Sequence, residues 1–245
     1  MNLDEPRTGV SALEAFREDA VDERLPAESD LCRHVRRALD LPFQIGLSVK
    51  AFGPEAPPPL SWEAWPALAR AVPARRREFV FGRQCARTAL ASVGGDGHAP
   101  LPSQADRSPG WPEGWTGSIS HAEGVAGAIA GRLDRYRGLG FDVESLGALE
   151  RIIEIAPLIA TAAELDRLTR AEDVLAVFSA KESLFKGLNP GHFMDFDAAE
   201  VVGLDDAILC LRLTRDWSRD WTEGLEVRVR RSVIGPWMFT ALAVS

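Results

Sequence analysis

The sequence predicts an α+β fold in two halves, each combining helices with short, mostly antiparallel strands. Three patterns point to it. Two long stretches carry helical periodicity, several short alternating or apolar runs are bounded by Gly and Pro, and a charged turn at 134–137 separates one helix-and-strand set from the next. The halves are residues 1–135 and 136–245.

In chain order, residues 1–30 hold nine acids against three bases and read as a mobile acidic lead-in, with one helix near 12–19. Residues 44–50 alternate as a strand, and the proline run at 54–59 is a loop. Helical spacing over 66–93 puts Phe79, Cys85, Ala86, Ala89 and Leu90 on one side. A Gly/Pro-rich loop over 94–112 leads to strands at 117–120 and 125–131, then, past the turn, to a strand at 138–144. Residues 149–188 read as helical, interrupted at Pro157. The tail alternates at 208–213, 225–229 and 237–244, which predicts antiparallel strands packed on those helices. No internal repeat is visible.

Composition narrows the class. With 245 residues, 46% apolar and 26% charged, the chain can bury a core without disulfides or a metal staple. Its three cysteines are far apart, and His34, His98 and His192 fit no zinc spacing. The longest uncharged apolar run, 125–131, is too short to span a membrane, and the start has no signal-like segment, so a cytoplasmic protein is expected. Net charge is −8, yet the first 30 residues account for −6 of it. Six arginines lie within residues 70–87, but no wider basic stripe or aromatic platform accompanies them, which excludes nucleic acid as a partner. Neither a phosphate-binding P-loop nor a dinucleotide fingerprint is present.

Four constellations could carry chemistry. In Gly140-Phe-Asp-Val-Glu144, Asp142 and Glu144 share one strand face while Val143 points to the core. Paired carboxylates suit Mg²⁺, though alone they also fit a solvated acidic edge. In the helical segment 178–188, Glu182 and Lys186 are spaced i, i+4, either as a surface ion pair or as a carboxylate–ammonium pair for phosphate chemistry. Only three of the 28 bases are lysines, Lys50, Lys181 and Lys186, and two of them fall in this segment. Ser120 and His121 end a strand, where they could donate to a phosphate or simply close a turn. Arg75 and Arg83 lie eight apart, near one helix face, and a guanidinium fork suits phosphate.

Taken in order, these segments resemble the 4′-phosphopantetheinyl transferases of the long, two-lobed kind, similar to the enterobactin synthetase component D type. The resemblance rests on Arg75-Arg-Arg-Glu-Phe-Val-Phe-Gly-Arg-Gln-Cys-Ala-Arg87, Trp111-Pro-Glu-Gly-Trp-Thr-Gly-Ser-Ile-Ser-His121, Gly140-Phe-Asp-Val-Glu144, Phe178-Ser-Ala-Lys-Glu-Ser-Leu-Phe-Lys186 and Phe196-Asp-Ala-Ala-Glu200, all between residues 75 and 200. It implies two similar α/β lobes related by a pseudo-twofold, with the active site at their interface. It also implies transfer of phosphopantetheine from coenzyme A to a serine of an apo acyl or peptidyl carrier protein, releasing 3′,5′-ADP.

By the same resemblance Asp142, Glu144 and Glu182 hold Mg²⁺ or Mn²⁺, and Glu182 is also the general base. Lys186 steadies the bridging phosphate oxygens; Ser120, His121, Arg75, Arg83 and Lys181 contact coenzyme A. The loop before Trp111 offers only Arg107 where some relatives place a lysine, so Arg107 joins the coenzyme A set. One chain supplying both sides of the cleft implies a monomer. The carrier's docking face is expected away from the acidic residues 1–30. Two other readings stay open: a non-catalytic module binding coenzyme A or a carrier, and a Mg²⁺-dependent phosphotransferase using a free nucleotide.

Overall fold

The computed structural model of the chain describes residues 29–58, 60–61, 65, 68–188 and 194–245. The acidic lead-in up to residue 28, with its expected helix, and His192 lie outside them. The described chain runs α1 (Asp30–Ala38), β1 (Gly46–Ala51), α2 (Pro73–Ser92), β2 (Trp115–Ala122), β3 (Val125–Arg132), β4 (Gly138–Ser145), α3 (Leu149–Glu154), α4 (Ala156–Ile159), α5 (Ala162–Leu165), α6 (Ala171–Leu188), β5 (Ala199–Leu204), β6 (Ile208–Leu213), β7 (Glu226–Ile234) and β8 (Trp237–Val244).

Strands pair antiparallel throughout, in a three-stranded sheet ordered β1-β3-β2 and a five-stranded sheet ordered β4-β8-β7-β6-β5. Each lobe is wound the same way. A first strand is followed by a long helix, and an antiparallel meander then brings its last strand back beside the first. The second lobe repeats the first with two more strands. In both, a glycine of the first strand lets the helix settle onto the sheet. A Cβ at Gly46 would stand 1.9 Å from the Ala89 carbonyl oxygen, and one at Gly140 1.9 Å from that of Ser183. No side chain fits at either position.

The lobes share a core. Leu139, Phe141 and Val143 of β4 pack with Val49, Ile129 and Phe239 in one buried cluster drawn from both sheets. A second cluster lies between α6 and the five-stranded sheet, built on Leu175, Val177, Leu184, Leu209 and Val229. Among the described residues no helix is long and apolar enough to cross a membrane.

Three local expectations need correction. The helix predicted from residue 66 starts at Pro73, where proline's fixed φ and missing N–H suit a first turn. Phe79 does not share a face with Cys85 and Ala89. It packs toward Leu60, Trp65 and Val80, because α2 is buried on two sides, while Phe81, Cys85, Ala86, Ala89 and Leu90 meet the sheet. Strand β5 was not anticipated. Its register shifts between Val201 and Gly203, and that irregularity erases the alternation by which a strand is read. Pro157, expected as a break, opens the short α4.

Candidate active site

The site begins with β4, whose alternation sends Val143 into the core and Asp142 and Glu144 to the opposite face. Asp142 is only 1% exposed. Its Oδ1 accepts from the Ser120 hydroxyl on β2 and from the Lys186 ammonium on α6, both at 2.6 Å. Its Oδ2 accepts from the Ser179 hydroxyl at 2.7 Å. Lys186 also donates to Ser120 Oγ at 3.2 Å and lies 3.5 Å from Glu182 Oε2, one helical turn back. The apolar side of α6 (Val177, Leu184, Leu188) anchors this geometry in the core.

Three carboxylates thus face one ammonium. Burial, reinforced by the charge of Asp142, pushes the Glu144 carboxyl up to about 8. Burial likewise raises Glu182 above the usual carboxylate range, against the pull of Lys186. Burial also works to discharge Lys186, but Asp142 and Glu182 outweigh it and hold the ammonium protonated more firmly than in water. The cluster is short of positive charge.

The other wall is basic. Arg83 is 4% exposed, donates to Ser103 Oγ at 3.1 Å and stacks over the Phe79 ring at 4.6 Å. Its Nε has no hydrogen-bond partner, no carboxylate of the described residues pairs with it, and burial lowers its pKa to about 10. A buried guanidinium without a counter-ion is costly, and an anion entering from the cleft would relieve it. His121 accepts at Nε2 from Arg75, so its proton resides on Nδ1, 3.4 Å from Glu78 Oε2. Burial, with Arg75 and Lys186 nearby, drives the imidazole down to about 3, so it is neutral. Arg107 sits in the left-handed region at φ 70°, in a turn closed by its N–H to the Gln104 carbonyl at 3.0 Å.

A cleft of about 320 Å³ joins these walls, lined by Arg75, Arg83, Arg107 and His121 together with Asp142, Glu144, Glu182 and Lys186. A larger cavity, about 610 Å³, lies beyond α6 against β5. There Arg231 pairs with Asp173 at 2.9 Å and Arg170 with Asp206 at 2.8 Å.

Residues 63–131 match the 4′-phosphopantetheinyl transferase N-terminal domain, and residues 138–234 match the 4′-phosphopantetheinyl transferase superfamily, together about two-thirds of the chain. The chain belongs to the 4′-phosphopantetheinyl transferase superfamily. It is 39% identical over 147 residues to the 4′-phosphopantetheinyl transferase Svp of Streptomyces mobaraensis, covering 57% of this chain and 59% of that one. It is 37% identical over 150 residues to the 4′-phosphopantetheinyl transferase PptT of Mycobacterium tuberculosis (58% and 64%), and 32% identical over 150 residues to enterobactin synthase component D of Salmonella typhi (57% and 59%). The match therefore spans about three-fifths of these relatives' length.

Within this superfamily member, one sequence expectation is revised. Lys181 is not in the cleft. It is buried on the far side of α6, donating to the Ile159 and Phe196 carbonyls at 2.9 and 3.1 Å and pairing with Glu164 at 3.0 Å, so all three of its protons are used inside. Replacing Lys181 with methionine is expected to destabilise the fold by about 3 kcal/mol, since it strands a buried carboxylate. Urea unfolding would check it.

The three carboxylates do lie together in the cleft. Among the described residues, no three His, Cys, Asp or Glu side chains close around a common point. Asp142, Glu144 and Glu182 line one cleft, but Lys186 bridges two of them, because buried carboxylates draw in whichever cation reaches them. Sequence reasoning missed Ser179, Thr240 and Glu78. Ser179 lies inside the 178–186 motif, three residues before Glu182, and Glu78 lies inside the 75–87 segment, one turn from its partner Arg75; Thr240, and the contact of Glu78 with His121, arise only through the fold.

Proposed function

We propose that the protein transfers 4′-phosphopantetheine from coenzyme A to a serine hydroxyl of an acyl or peptidyl carrier protein, releasing 3′,5′-ADP, and so primes siderophore, nonribosomal peptide or polyketide synthetases. One observation carries the reading: a single cleft sets an uncompensated buried arginine opposite a carboxylate cluster short of positive charge. A phosphate-rich substrate accompanied by a divalent cation satisfies both ends at once.

Arg83 and Arg75 would bind the nucleotide phosphates, with Arg107 at the mouth and neutral His121 offering a hydrogen bond rather than a charge. The acidic end is oxygen-only and lacks compensating charge, a donor chemistry that fits Mg²⁺ on Asp142, Glu144 and Glu182. When bound, the ion would neutralise pyrophosphate charge. Glu182 takes the proton of the carrier serine. The serine oxygen bonds to the phosphorus on the pantetheine side, and that phosphorus loses its bond to the bridging oxygen, which leaves with the electron pair on 3′,5′-ADP. Lys186, held protonated, faces the oxygen where that charge develops. Ser120, committed to Asp142 and Lys186, orients both. Since one chain forms both walls, a monomer suffices.

Intact-mass spectrometry of an apo carrier protein, incubated with this protein, coenzyme A and Mg²⁺, tests the proposal. The expected result is a mass gain equal to one phosphopantetheine, lost with EDTA or in Glu182→Ala. No gain across several carrier classes, with coenzyme A still binding, would favour a non-catalytic coenzyme A module instead.

A further inference from the structure

Asp142 is held from behind by a chain of hydroxyls that the proposed chemistry does not use. Ser179 and Ser183, one turn apart on α6, and Thr240 on β8 are all fully buried. Thr240 pairs directly with Asp142 in the β4–β8 register. Ser179 Oγ gives its single proton to Asp142 Oδ2 at 2.7 Å, so toward Thr240 it can only accept. Thr240 Oγ1 stands 2.8 Å from Ser179 Oγ and 3.0 Å from the Ser179 carbonyl. Ser183 Oγ is in turn 2.7 Å from Thr240 Oγ1 and 3.2 Å from the Thr240 carbonyl. The three hydroxyls are thus in mutual contact, and Ser179 connects them to the carboxylate.

We propose that Ser179, backed by Thr240 and Ser183, is a positioning residue that pins Oδ2 of Asp142 away from the cleft and presents Oδ1 alone to a divalent cation. This rests on the metal role proposed above for Asp142. A carboxylate free to turn can offer both oxygens, whereas one tied at Oδ2 is a one-oxygen ligand. Mg²⁺ demands near-octahedral coordination at short distance, and a bidentate carboxylate's narrow bite fits that poorly. One buried hydroxyl on Oδ2, itself backed by Thr240 and Ser183, with an ammonium and the Ser120 hydroxyl on Oδ1, holds the carboxylate in one orientation. The device is built from both elements that flank β4, the helix and the neighbouring strand, so it locks Asp142 to the lobe's core rather than to the mobile side chains of the cleft.

The test is Mn²⁺ titration of the protein, read as loss of the free-ion electron paramagnetic resonance signal. Ser179→Ala is expected to weaken Mn²⁺ binding about 10- to 100-fold, the usual consequence of losing a ligand's hydrogen-bond partner. Thr240→Val, which keeps the volume and breaks the chain, should weaken it less, and Thr240→Ser, which keeps the hydroxyl, should bind like the wild type. In transfer assays, the Ser179→Ala deficit should shrink as Mg²⁺ is raised, which a merely loosened core would not do. Unchanged Mn²⁺ affinity in Ser179→Ala, with binding lost in Asp142→Asn, would overturn the proposal alone. Equal binding by wild type and Asp142→Asn would remove the metal role of Asp142 and this proposal with it. Should Ser179→Ala fail to fold, the Thr240 pair decides: equal affinities for Val and Ser would overturn it.

Discussion

Glu182→Gln is expected to slow carrier modification by about 10³-fold, within the 10²–10⁴ range that general-base removal produces, while leaving the protein as stable as the wild type or more so. The two halves of this expectation have one cause. In the folded chain Glu182 is half-buried and faces Asp142, and both effects disfavour its charged form. The carboxylate oxygen is what takes the serine's proton, and the crowding of like charges around it is a load on the fold. Glutamine keeps the shape and drops the charge. Single-turnover rates by mass spectrometry, set beside urea midpoints, would show activity lost without stability lost. A rate within tenfold of wild type would remove Glu182 from the base role.

The second large effect is on pH dependence, through Glu144. Its folded pKa, about 8, lies above the ordinary glutamate value of 4.5. The folded chain therefore binds a proton that the unfolded chain has released, and stability falls as pH rises between those values. The group costs nothing below the unfolded value and reaches its full penalty once pH passes about 8. Allowing for its partial exposure, the penalty is on the order of 3 kcal/mol. Urea unfolding at pH 5.5 and 8.5 should show wild type losing about two-thirds of this relative to Glu144→Gln, the rest having been lost below pH ~5.5. Mg²⁺ should restore it at the higher pH, because a cation that binds only the folded state compensates the buried charge. Parallel pH profiles for the two proteins would contradict the assignment.

What was legible in the sequence was what local geometry decides. The period of two in 140–144 placed Asp142 and Glu144 on one face, and the i, i+4 spacing brought Glu182 to Lys186. The same helix geometry misled where sequence proximity was taken as spatial proximity. Lys181 and Lys186 are five residues apart, which on an α-helix is ~140° of rotation, and they serve opposite sides of α6. Partners supplied by distant strands left no trace: Thr240 reaches Ser179 across 61 positions, and His121 reaches Arg75 across 46. The edge strand β5 was hidden by its own irregular register.

The two glycine contacts align the lobes residue by residue, and the alignment explains why no repeat could be read. Setting Gly46 on Gly140 and Ala89 on Ser183 places Ser48 opposite Asp142, Lys50 opposite Glu144, Cys85 opposite Ser179, Thr88 opposite Glu182 and Ser92 opposite Lys186. Cys85 even lies within hydrogen-bonding reach of Ser48, as Ser179 does of Asp142. The twin of the acidic cluster thus persists as a scaffold from which every acid has gone. Relieved of that chemistry, the first lobe contributes Arg75 and Arg83 to the shared cleft. The chain consequently has a polarity that two identical halves could not have: the first lobe supplies the arginines of the shared cleft and the second its carboxylates.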